Sequence, residues 1–174
     1  MLATYVLFYL MTAWILSYGI GSPDAGMLGI PYRSFLVIQL IAVLLFAGMV
    51  PVSGWLADRF GRRSSLLVIT AAIVGFGLIF GWFIAPENLG TGTEINIIRL
   101  LCFLALGMAL MGLTFGSMSA VLPELFPTNV RYTGSGIAYN VASILGAALT
   151  PFVAVWLTSR FGVSAVGMYL SLAA

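Results

Sequence analysis

Apolar residues dominate this chain in long unbroken runs, not in alternating or short amphipathic patterns. Five apolar runs cover about 2–22, 34–56, 65–84, 98–122 and 132–157, with Arg99 near the start of the fourth as the one charged side chain within them, and a sixth, 162–174, begins just after Phe161. A hydrocarbon core ~30 Å thick takes about 20 residues of helix to cross, and backbone groups within it must be paired inside the segment. The first five runs are therefore predicted to be membrane-spanning helices, while the sixth is incomplete. Turn chemistry separates them, as in Gly21-Ser22-Pro23-Asp24 and Pro86-Glu87-Asn88-Leu89-Gly90, and no connection is long enough for a soluble insert. The first run starts without a soluble leader or a positively charged n-region and the last stops short, so the pattern reads as a chain cut at both ends. The expected fold is an all-α membrane protein.

Composition sharpens this expectation. Hydrophobic residues make up 61% of the 174 and charged ones 7%, against about 25% charged in soluble domains, which excludes a water-exposed globule. All seven basic residues are arginines, there are five acidic residues and no histidine, and the formal charge is +2. No basic stripe marks a nucleic-acid partner. Cys102 stands alone in an apolar run, so it forms no internal disulfide and is assigned to packing. Asp24, Asp58, Glu87, Glu94 and Glu124 all sit at or beyond predicted helix ends. With no embedded carboxylate, no His and no H-E-x-x-H, neither a catalytic centre, a metal site nor a cofactor is expected. Spans alternate in direction, which places loops 57–64 and 123–131 on one side with Arg59, Arg62, Arg63 and Arg131. The other side holds loops 23–33, 85–97 and 158–161 with Arg33, Arg99 and Arg160. The cluster at 59–63 assigns the first side to the cytoplasm.

That cluster belongs to Gly54-Trp55-Leu56-Ala57-Asp58-Arg59-Phe60-Gly61-Arg62-Arg63. Gly54 suits a close helix neighbour, Gly61 a tight turn at positive φ, Asp58 a helix-start N–H, and the arginines the headgroup region. A second patch is Leu122-Pro123-Glu124-Leu125-Phe126-Pro127-Thr128-Asn129-Val130-Arg131-Tyr132-Thr133-Gly134, where the prolines end one helix and Thr133-Gly134 opens the next. Glu124 and Arg131, seven apart, are spaced to bring opposite charges together across that turn.

The pattern G-x-x-x-D-R-x-G-R-R resembles the signature loop of the major facilitator superfamily, which follows the second span of each six-span half. The second patch is similar to the loop between the tenth and eleventh spans of its metabolite:proton symporter branch, which takes up organic acids, shikimate, α-ketoglutarate, proline and betaines. Its Glu-x6-Arg spacing also resembles the intracellular salt-bridge element of sugar porters. The resemblance implies that residues 1–174 form the C-terminal half of a twelve-helix fold, spans seven to twelve with the last truncated, the N-terminal half being absent. It further implies a secondary transporter in the bacterial inner membrane, with a small polar metabolite as substrate and a proton as coupling ion. The titratable group for the proton would then lie in the missing half. The competing reading is a non-transporting half-protein: a truncated product, a split subunit or a regulatory remnant.

Polar side chains inside spans are costly in lipid, so they mark candidate cavity positions. These are Tyr5, Tyr9 and Thr12 on one face of the first span, Gln39 on the second, Thr114 and Ser117 on the fourth, and Tyr139, Asn140 and Ser143 on the fifth. In the family, the spans matching the first and fourth line the central cavity. Serine and threonine often bond back to their own helix, which leaves Tyr9, Gln39, Tyr139 and Asn140 as the substrate-binding candidates. A Tyr-amide pair at the place of Tyr139 and Asn140 also occurs in the related symporters. Gly54, Asp58, Arg59, Gly61, Arg62, Arg63, Glu124 and Arg131 are the conformational candidates; Asp58, Arg62, Glu124 and Arg131 are expected to latch the cytoplasmic side. Small residues recur every four positions, as Gly112, Gly116 and Ala120 and as Ala138, Ala142, Gly146 and Thr150, and predict close helix packing. Trp14, Trp55, Trp82 and Trp156 are expected to pack or to anchor at the membrane surface.

Overall fold

The computed structural model describes residues 2–91 and 95–174, so Glu94 lies outside the described residues, as do the side chains of Asp24 and Ala120. Helix α1 runs Leu2–Ile20, α2 Tyr32–Phe60, α3 Arg62–Ile84, the short α4 Pro86–Leu89, α5 Ile97–Glu124, α6 Arg131–Phe161 and α7 Val163–Ala173. Five of them are long and apolar enough to cross a membrane; α7 is shorter. Among the described residues there is no strand.

Helix α1 stops two residues short of its predicted end, while α2, α3, α5 and α6 overrun the predicted boundaries because their charged ends stay helical. The stretch 57–64 is not a loop: Asp58 and Arg59 occupy the last turn of α2, Arg62 and Arg63 the first turn of α3, and Gly61 alone separates them. Its φ of +84° is the positive-φ turn expected there, a region that a side chain disfavours. Ser65 fixes the corner by donating from Oγ to the carbonyls of Gly61, at 3.0 Å, and Leu56, at 3.2 Å. Pro123 does not end α5 but lies inside its last turn, and α6 opens at Arg131, two residues ahead of Thr133-Gly134. A proline in the final turn removes one N–H but leaves the preceding turns intact.

Of the five spans α1 is the most buried and the least apolar, whereas α2 is the least buried and the most apolar. Val6, Leu7, Leu10, Met11, Trp14, Ile15 and Tyr18 of α1 are at the centre of the core. Trp14 meets Phe80, and Phe76, Phe80 and Phe103 stack and cross one another at 4.9 to 5.8 Å between ring centroids. The expected small-residue packing is present: a methyl group at Gly112 would lie 2.6 Å from the Phe46 carbonyl oxygen, and one at Gly116 would lie 2.6 Å from that of Val50. These contacts seat α5 against α2. Gly146 of α6 abuts Tyr5 of α1 in the same manner. A third close pair has no periodic signal in the sequence: Gly77 of α3 faces Gly167 of α7, and Ser171 Oγ donates to the Val74 carbonyl at 3.0 Å.

Two expectations need correction. Cys102 is exposed on α5, so it does not pack the core. A methyl group at Gly54 would meet nothing within 4 Å, so no helix of this chain closes on that position. Trp14 is a core residue, while Trp55, Trp82 and Trp156 are exposed.

Candidate functional site

Two cavity candidates sit beside irregular turns. Within α1 the segment Leu10–Trp14 is a π-turn, in which the Ile15 N–H reaches back five residues to the Leu10 carbonyl. Such a wide turn breaks the regular i→i−4 pairing. Gln39 of α2 answers for this, its Nε2 donating to the carbonyls of Met11 and Thr12, each at 3.2 Å. Both amide hydrogens are thereby spent on α1, so the nitrogen of Gln39 holds the backbone beside Tyr9. Helix α6 carries a second π-turn at Ile144–Ala148, next to the Gly146 contact with Tyr5. Both wide turns therefore lie where α1 and α6 meet.

Tyr9 and Tyr139 are half-buried and Asn140 is exposed. Tyr9 packs edge-on against Phe8 at 5.1 Å. Asn140 Nδ2 donates to the Gly136 carbonyl at 2.8 Å on its own helix. Among the described residues no hydrogen bond joins any two of Tyr9, Gln39, Tyr139 and Asn140. The hydroxyls behave as their residue types predict: Thr12 bonds back to Phe8 at 2.7 Å and Thr114 to Met111 at 2.8 Å. Ser117 departs from this. It is fully buried and pairs with Ser53 Oγ at 2.6 Å, while Ser53 also donates to the Leu113 carbonyl. Ser53 escaped the sequence reading because a serine next to a glycine, here Gly54, in an apolar run carries no signal of its own.

At the charged end, the Arg62 guanidinium pairs with Glu124, tying the start of α3 to the end of α5. Among the described residues this is the sole ion pair, and it puts the α2–α3 and α5–α6 connections at the same end of the bundle, as the alternation of spans requires. Both groups lie at helix ends outside the apolar runs. The hydrogen bond from Arg62 holds the Glu124 carboxyl below its usual range, with Arg131 adding to the effect, and raises the Arg62 guanidinium in turn, with a smaller contribution from Asp58. Arg131 itself donates from Nε to the Phe126 carbonyl at 3.4 Å and does not pair with Glu124 as the spacing led one to expect. Arg59 lies over the Trp55 ring at 5.2 Å, a cation–π contact. Among the described residues no group of acidic, His or Cys side chains could hold a metal ion.

The family model for the sugar (and other) transporter matches residues 6–174. Relatives include the inner membrane metabolite transport protein YhjE of Escherichia coli, 50% identical over 98% of this chain and 37% of its own length. The shikimate transporter of Escherichia coli is 32% identical over 88% of the chain and 32% of its own length. The proline/betaine transporter of Salmonella typhimurium is 35% identical, over 90% and 28% respectively. The chain thus spans less than two fifths of the length of these curated relatives. No solved structure gives a significant match. With five apolar spans, a signature corner at Gly61 and relatives that are transporters and not enzymes, the chain is a multi-pass membrane protein that belongs to the sugar (and other) transporter family of the major facilitator superfamily.

Proposed function

We propose that this chain is the C-terminal six-helix part of a secondary carrier that moves a small organic acid or zwitterion across a bacterial inner membrane by alternating access, coupled to protons. The observation that carries this reading is the set of relatives whose names specify a metabolite, shikimate and proline or betaine. Among the described residues no acidic side chain lies mid-span, so the proton-carrying group belongs to the part of the carrier beyond this chain. Tyr9, Tyr139 and Asn140 supply the substrate contacts from this side of the cavity. Asn140 lies nine residues into α6, or roughly 14 Å from its start at ~1.5 Å per residue, near the midplane of a ~30 Å core. An exposed amide at that depth is tolerated only against water or protein, and the midplane is where such carriers hold substrate. Gln39 positions α1 behind Tyr9.

Uptake of labelled organic acids, zwitterions and sugars by vesicles carrying the complete carrier tests both parts. Uptake of an acid or zwitterion should rise with an inward proton gradient. In the same assay Asn140→Ala and Tyr139→Phe should raise the half-saturation concentration roughly tenfold and threefold, with amounts in the membrane within about twofold. Uptake of sugars alone would refute the substrate class, and unchanged kinetics in both variants would reduce the two residues to packing.

The Arg62–Glu124 pair, with Asp58 and Arg131 nearby in charge, acts in this reading as a latch that favours the outward-open state. Because Glu124 is hydrogen-bonded to Arg62 and Asp58 contributes only its field, Glu124→Gln should raise cytoplasmic-side labelling of introduced cysteines more than Asp58→Asn does. Equal labelling in wild type and both variants removes the latch.

A further inference from the structure

At the end of the bundle opposite the Arg62–Glu124 pair there is a cavity of about 500 Å³, between the last turns of α1 and α6 and the first turn of α7. Its polar groups are unusual in kind. Ser17, Thr158 and Ser159 border it, but each has already given its hydroxyl hydrogen to its own helix, to Ala13, Ala154 and Trp156. Their oxygens remain as acceptors. Glu87 of α4 adds a carboxylate, and no arginine is among the lining residues described. Tyr18, 2% exposed, also lines the cavity, and its hydroxyl is buried with no hydrogen-bond partner. The site is therefore rich in acceptors and negatively charged, and among the described residues its uncommitted side-chain donors include the exposed Ser164 hydroxyl and the buried Tyr18 hydroxyl.

Ser164 joins this cavity to a second space of about 530 Å³ in the cleft between α6 and α7, walled by Val153, Leu157, Phe161, Met168 and Leu172. From Phe161 to Val153 the cleft descends eight residues, roughly 12 Å at ~1.5 Å per residue, against ~15 Å for half a bilayer core. It starts at the membrane surface and enters the hydrocarbon of the same leaflet.

The geometry points to the cavity and cleft as one binding site for a phospholipid with a primary-ammonium headgroup. The ammonium, with its N–H donors, meets Glu87 and the hydroxyl oxygens; the Ser164 hydroxyl, at the junction of cavity and cleft, is the donor for a phosphate oxygen; one acyl chain lies along α6 and α7. A trimethylammonium headgroup has no N–H to offer these acceptors, and an anionic headgroup meets Glu87 with the wrong sign.

Native mass spectrometry of the full chain, equilibrated with equal amounts of phosphatidylethanolamine, phosphatidylcholine and phosphatidylglycerol of identical acyl chains, reads this directly. Phosphatidylethanolamine should be retained about tenfold over the other two, as one charge-assisted contact allows. Glu87→Gln should remove that preference, and Ala165→Trp, which fills the cleft, should lower retention of all three. Equal retention of the three lipids by the unaltered chain overturns the proposal, as does a preference that survives Glu87→Gln. Free ethanolamine competing as well as the lipid would assign the cavity to a soluble amine and overturn the lipid assignment. Ala165→Trp sits on a different helix from Glu87, so should either variant fail to fold the other still decides.

Discussion

Gly116→Val should destabilise the chain by about 3 kcal/mol, whereas Gly75→Ala should leave it unchanged or stabilise it by about 0.5–1 kcal/mol. A first side-chain carbon at Gly116 would lie 2.6 Å from the Val50 carbonyl oxygen and 2.8 Å from Ser53 Cβ. The obstacle is backbone, so relief requires α2 and α5 to separate, and separation also pulls on the buried Ser53–Ser117 pair. Gly75 has nothing within 4 Å of the corresponding point. There the substitution only removes the conformational cost of glycine in a helix. Equilibrium unfolding in mixed detergent, followed by helical circular dichroism, measures both. A Gly116→Val protein as stable as wild type would mean that α2 and α5 are not held at this distance.

Gln39→Met keeps side-chain bulk but removes both donors to the Met11 and Thr12 carbonyls. Stranding buried acceptors costs about 1–3 kcal/mol, so a loss of about 2 kcal/mol is expected in the same unfolding measurement. The second readout is local. Without Gln39, the wide turn at Leu10–Trp14 loses its support and relaxes toward regular helix, which turns Tyr9 by about 100° relative to the second half of α1. Faster amide exchange across residues 10–16, with α3 and α5 unaffected, is the expected pattern. Uniformly faster exchange in all helices would show that Gln39 contributes only general packing.

The number and order of the spanning helices follow from apolar run length, because lipid forbids unpaired backbone and leaves helix as the only solution for such runs. The signature corner followed from residue type, since Gly61 is where a chain reversing in one residue needs positive φ. The helix ends were placed short because charge marks the membrane surface and says nothing about where hydrogen bonding stops; Asp58, Arg59, Arg62 and Arg63 are charged and helical at once. The π-turns leave a trace in the spacing of buried residues. Buried residues recur at four-residue steps, as Val6, Leu10, Trp14 and Tyr18 on α1 and as Ala142, Gly146, Thr150 and Ala154 on α6. At ~100° per residue each such step drifts ~40°, so three steps would carry the stripe off the contact face. A wide turn within each stripe cancels much of that drift. Of the candidate site, Tyr9 and Tyr139 are half-buried and Asn140 is exposed, and among the described residues no hydrogen bond joins them. Gln39 was legible as a polar side chain inside a span, but its bond to α1 was not, because its partner is the backbone of another helix and no residue type announces a carbonyl.

The inverse relation between apolarity and burial, with α1 least apolar and most buried and α2 the reverse, bears on how the chain is made. During synthesis α1 leaves the ribosome before α2, α5, α6 and α7, yet it packs against those later helices. Released alone into lipid, it would expose Thr4 and the carbonyls that Gln39 later caps, with less apolar side-chain surface to compensate than any other span has. Helix α2 partitions readily by itself and brings Gln39 with it. Insertion of α1 is therefore best completed as a pair, the earlier helix waiting at the lateral gate of the translocation channel until the later one arrives.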